Sequence, residues 1–314
     1  AAWLFIATKA FGDAIGVPGI PAWIAAWVVL LGLTPPFLIG RFSWFGQLGP
    51  NFIQNTALVL TAGTALAWAM RARGHWRIAL LSVAFVVCAL LAVGFDPAQC
   101  ILWAPLWLAV MVAALAAGVS PASRARGAGI VVLALTVLGL SGAPLLIRGL
   151  VSYGSRTYFP DLPGYETPLS GASFLFAPTE DVFAIGWLIR VTIVLALVAS
   201  VLFLIRPLSE VGRAVRYGAA GLLVGHAVAW TYAALWLMSE RTVLPGPMYL
   251  EFGLIPLDAL YATLLAYIGL RAAARVIRRR GQEGPVVHRS LPTVAAVLAL
   301  VVVAVLTGVT RPFP

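Results

Sequence analysis

Four titratable or charged side chains stand within long apolar runs: Arg190, His226, Glu251 and Asp258. Asp258 is the most demanding, because a carboxylate at the centre of an apolar helix costs roughly 2.5–3.5 kcal/mol on insertion scales. An acid kept in such a place binds a proton or cation, or ties helices together. Gly253 and Pro256 precede it, and a break there would free backbone carbonyls beside the acid, an arrangement suited to holding a cation or proton. Glu251 is seven residues earlier and on nearly the same helical face. It lines the same outward cavity in one reading and meets Arg241 at the interface in the plainer one.

Arg190 falls about eight residues into its apolar run. It either snorkels to the outer interface or balances Asp258 and engages an anionic group. Asp258 paired with Arg190 or with a neighbouring hydroxyl is the purely structural alternative. His226, in Val224-Gly-His-Ala-Val, reads as a hydrogen-bonded core histidine, with a proton relay or quinone contact as the functional alternative. Bis-histidine haem finds no second ligand within the bundle, since His75 and His288 fall at segment edges. Without CxxC or paired Cys/His spacing, the expectation is no metal and no cofactor. Cys88 and Cys100 read as small apolar fillers.

Glu180 and Asp181 follow Pro178 in a turn-rich connection that also carries Arg148 and Arg156. Together they suit a divalent cation or a lipid phosphate, although paired acids at a helix start also satisfy the helix dipole. Serines at 140–142 and 170–173 permit a Ser/His dyad with His226 on paper, yet such small-residue strings arise readily in a chain with 30 glycines. Gly63-x-x-x-Ala67 fits close helix packing.

These residues must be positioned by an apolar framework. Hydrophobic residues make up 61% and charged residues 10% of the 314, with mean hydropathy +0.98, against about 45–50% and 25% in soluble domains. One or two anchors cannot raise a whole-chain mean so far. The expected fold is an all-α polytopic membrane bundle of about nine helices forming a single domain over 1–314. The spans are placed near 21–39, 52–70, 78–95, 100–118, 129–147, 182–205, 217–238, 248–270 and 291–309. Residues 1–11 read as the end of a further helix or as an interfacial segment, with Lys9 and Asp13 spaced to pair. The start at Ala1 suits a removed signal peptide or an absent first helix.

Alternate connections carry fourteen and five arginines. The arginine-rich set, including 271–290, is therefore expected in the cytoplasm, and the 148–181 loop outside. The net charge of +10 resides in these flanks, so anionic lipid at Arg271–Arg280 is expected and nucleic acid is not. Near-exclusive use of arginine over lysine fits a GC-rich bacterium and its inner membrane. The leading functional expectation is a secondary transporter or permease coupled to a proton or cation at Asp258. A non-catalytic subunit of a larger respiratory or similar membrane complex, with companion membrane subunits, is the alternative. A lipid-modifying enzyme centred on Glu180, Asp181, Arg148 and Arg156 is the third.

Overall fold

The first helix shows how local sequence sets a boundary. In the computed structural model, α1 covers Ala2–Ala14. It ends because Gly16 takes φ 85°, a left-handed conformation that glycine adopts without a Cβ penalty. The amide of Gly16 donates to the Asp13 carbonyl (3.1 Å) and that of Val17 to the Gly12 carbonyl (2.9 Å). This is a Schellman stop, and Pro18 prevents the helix from resuming in register. Lys9 and Asp13 pair along the same helix, and the Lys9 ammonium also lies 5.3 Å from the centre of the Trp23 ring.

The structure describes residues 2–39, 45–72, 74–95, 186–206, 211–238 and 248–280, with isolated helical positions between 125 and 147. All the elements formed by these residues are helical. After α1 come α2 (Gly19–Ile39), α3 (Phe45–Arg71), α4 (His75–Phe95), α5 (Gly186–Ile205), α6 (Arg213–Met238) and α7 (Met248–Arg280). The expected spans at 100–118, 129–147 and 291–309 lie wholly or largely outside the described residues, as does Cys100.

α2 runs through Pro35-Pro36 to Ile39, the end expected for that span. Proline's fixed φ is itself helical, so each costs a hydrogen bond without forcing termination. Likewise α7 passes through Gly253 and Pro256 as one element and carries on to Arg280. Its 33 residues span about 50 Å, well beyond the roughly 30 Å of a bilayer core.

α7 is the hub of one half, packed against α2, α5 and α6 and touching α1. In the other half α3 packs against α4, α1 and α2, so that α1 and α2 join the two halves. Small residues permit the close approaches. A Cβ on Gly12 would stand 2.8 Å from Leu260 Cδ2 and 3.0 Å from Ala22 Cβ, at the meeting of α1, α2 and α7. Gly63 and Ala67 are both buried on α3, as small-residue packing requires. Phe5 packs against Trp23 and Trp27, and the Trp3 indole donates to Thr61 (3.1 Å), fastening α1 to α2 and α3.

α4 is apolar on both sides. Phe85, Ala89, Ala92 and Val93 are buried, whereas Trp76, Leu80, Val83, Val87 and Leu91 form an outward stripe, with Trp76 79% exposed. In water each large apolar side chain left exposed forgoes roughly 1.5–3 kcal/mol relative to burial. By length and composition two described helices can cross a membrane, His75–Gly94 and Leu254–Arg275. Shorter apolar helices cover Gly19–Leu30 and Thr192–Ile205.

Candidate functional site

α6 and α7 form an antiparallel pair. Two contacts set their register: Tyr261 Oη donates to the Val215 carbonyl at 2.6 Å, and His226 meets Asp258 farther along. Gly218 permits the first contact, because a Cβ there would collide with the Tyr261 hydroxyl. The Tyr261 side chain is fully buried and lies against Phe203 of α5, with ring centroids 6.2 Å apart. It therefore has little room to move aside for a larger residue.

One turn before Tyr261 stands Asp258, at 0% exposure, with His226 at 4%. Nε2 of His226 is 2.9 Å from Oδ1 of Asp258, so one proton is shared along that line. Removing either partner from a buried ion pair costs about 3–5 kcal/mol, because the survivor stays desolvated and uncompensated. The pairing is incomplete on the acid's side. Oδ2 of Asp258 has no hydrogen-bond partner among the described residues. Ser200 on α5 is also fully buried with an unpartnered hydroxyl.

The partner of Asp258 is thus an imidazole on the preceding helix, where the sequence suggested Arg190 or a hydroxyl. Arg190 belongs to the second turn of α5 and Glu251 to the first turn of α7, and their side chains lie outside the described residues. Glu180, Asp181, Arg148 and Arg156 lie outside them altogether. Pro256 is buried two residues before Asp258. It has no amide hydrogen, so the carbonyl of residue 252 loses its usual partner in the helix ladder.

Chemically, an imidazole and a carboxylate sharing a proton make a poor metal site and a good proton site. Among the described residues no three His, Cys, Asp or Glu side chains gather as a metal would need. A hard cation such as Ca²⁺ takes six to eight oxygen ligands, whereas here one carboxylate oxygen is already engaged by a nitrogen. Tyr261 had no signal of its own in the sequence; it emerges only as the residue one turn from Asp258 on α7. Comparison of the chain with protein-family models, with curated proteins and with solved structures gave no match.

Proposed function

We propose that this chain is a membrane-embedded secondary transporter or permease driven by protons, with His226 and Asp258 holding the coupling proton. The supporting observation is that buried pair, since its imidazole and half-satisfied carboxyl are suited to taking up and releasing a proton. The nine-span layout belongs to the same proposal, with 271–290 facing the cytoplasm and the 148–181 loop outside. So do Arg190 and Glu251 as outer members of the path, Gly253 and Pro256 as a point of helix bending, and anionic lipid at Arg271–Arg280. His226 takes over the charge-balancing role considered for Arg190. A proton is favoured over an alkali or divalent cation because the pair offers too few oxygen ligands.

The test is proton movement into proteoliposomes loaded with a pH-sensitive dye and challenged with a panel of sugars, amino acids and organic ions. At least one compound is expected to drive proton entry in the wild type, with a drop of tenfold or more in Asp258→Asn at equal protein incorporation, about 1.4 kcal/mol or more. An undiminished rate in that variant would remove Asp258 from the mechanism.

The alternative of a non-catalytic integral subunit draws on the closure of the same pair. A carboxyl with no exposed surface also serves simply to bind α6 to α7. In that case no compound moves protons, Asp258→Asn lowers thermal stability, and the chain purifies in fixed stoichiometry with companion subunits.

A further inference from the structure

Four helices end around one level of α7. Gly12, third from the end of α1, lies against Leu260, and Phe203, third from the end of α5, lies against Tyr261. Pro21, the third residue of α2, offers its carbonyl to Thr263 at 3.2 Å, and Val215, the third of α6, offers its own to Tyr261 at 2.6 Å. The turn between α1 and α2 closes on the same place, where a Cβ on Gly16 would stand 3.5 Å from Ala214 and 3.8 Å from Val215.

Burial along α7 marks the same boundary. Every residue from Leu254 to Ala262 is buried, whereas Ala266, Gly269 to Ala273 and Arg275 are exposed. The neighbouring helices therefore flank α7 on the Asp258 side of Thr263, and about 25 Å of helix continues past this level to Arg280. Arg206 and Arg213 are exposed at this end of the bundle, which the proposed layout assigns to the cytoplasm.

Asp258 thus sits one turn, about 4.5 Å along the axis, inside that end. Tyr261 fills the turn. The two side chains are three apart on one side of α7, and a helical side chain covers the turn N-terminal to its own Cα. The Tyr261 ring, the largest fully buried side chain among the described residues, therefore lies over the step between the carboxyl and the end of the bundle.

We propose that Tyr261 is the inner gate of the proton site, sealing His226 and Asp258 from cytoplasmic water in this structure and admitting it when the ring swings out. This rests on the proton-coupled reading of the pair. Two features make the contact releasable. The Val215 carbonyl lies within α6 and keeps the amide four residues on as its helix partner, so departure of the phenol orphans no backbone acceptor. Gly218 supplies the slot for the hydroxyl, and the phenol that leaves it exchanges a single carbonyl for water. Tyr261 carries no proton in this role; it controls when water reaches the carboxyl.

The test measures access to Asp258 from each side, using the full chain in membrane vesicles of either orientation. The probe is a charged, membrane-impermeant carbodiimide with glycine ethyl ester, which converts a reached carboxyl to an amide detected by mass spectrometry. Asp258→Asn is the blank. A gate whose open state is populated about 0.1–10% limits access by that fraction, so Tyr261→Ala should speed modification at least about tenfold from the cytoplasmic side. Tyr261→Phe keeps the ring and loses one hydrogen bond, for a smaller rise of about two- to tenfold. Modification from the opposite side should stay at the wild-type rate in both. A merely structural tyrosine would loosen the bundle without sidedness, so equal acceleration from both sides overturns the gate. Unchanged modification from the cytoplasmic side also overturns it, and leaves the proton site standing wherever coupled uptake still requires Asp258. Undiminished uptake in Asp258→Asn overturns the site and the gate together. If Tyr261→Ala does not fold, Tyr261→Phe carries the same comparison.

Discussion

At the scale of single residues, the economy of the site lies in one acid sharing one proton with one imidazole. Desolvation makes each dependent on the other, which leads to a prediction about stability that is independent of transport. His226→Ala should lower unfolding stability in detergent by about 3–5 kcal/mol if Asp258 stays ionised, and by less if the acid protonates. The double change His226→Leu with Asp258→Leu should recover most of that loss, because apolar pairs of similar volume replace buried ion pairs at little cost. Thermal unfolding of the single and double variants provides the check, and additive losses would show that the two side chains do not interact. Activity should be lost in all of them. That separation of stability from function is what distinguishes a proton site from a structural tie.

At the scale of elements, glycines decide how closely helices approach. Gly218 admits the Tyr261 hydroxyl beneath the Val215 carbonyl, and Phe203 holds the ring from the other side. Tyr261→Phe removes one hydrogen bond and should cost about 0.5–1.5 kcal/mol. Gly218→Ala should cost more, about 1–3 kcal/mol, because it displaces a packed ring as well as its hydrogen bond. Chemical or thermal unfolding of the two variants checks the order, and the reverse order would mean that α6 and α7 are not held by this contact. At the end of α1, Gly16→Ala is expected to cost about 1–2 kcal/mol, since alanine is penalised in the left-handed conformation. Gly12→Ala meets the Ala22 methyl on one side, which has no torsion with which to give way, and Leu260 on the other, which can turn.

At the scale of the whole molecule, the described helices form two groups joined through α1 and α2, and outward apolar faces remain on α4 and α5. On α4 that face includes residues 76, 80, 83, 87 and 91, a helical stripe with no polar relief. Lipid contact removes the cost of exposing it, as the proposed membrane layout requires. The layout is open to direct measurement on a background with Cys88 and Cys100 changed to serine. In intact cells an impermeant maleimide should label Tyr153→Cys and spare Arg280→Cys, and disruption of the cells should expose the second position. Labelling of Arg280→Cys from outside would reverse the assigned orientation.

Composition and periodicity were enough to establish helices, because an apolar backbone away from water must satisfy its own hydrogen bonds. They also singled out Asp258, since the cost of a carboxylate among apolar residues is visible without any structure. Lys9 and Asp13 were legible as a pair for a similar reason, being four apart on one helix. The partner of Asp258 was not legible. His226 is 32 residues away, and whether it faces the acid depends on how far α6 is rotated and slid against α7. Packing decides that register through contacts such as Gly218 with Tyr261. Local chemistry therefore marked the acid, and only the assembled helices determined which side chains surround it.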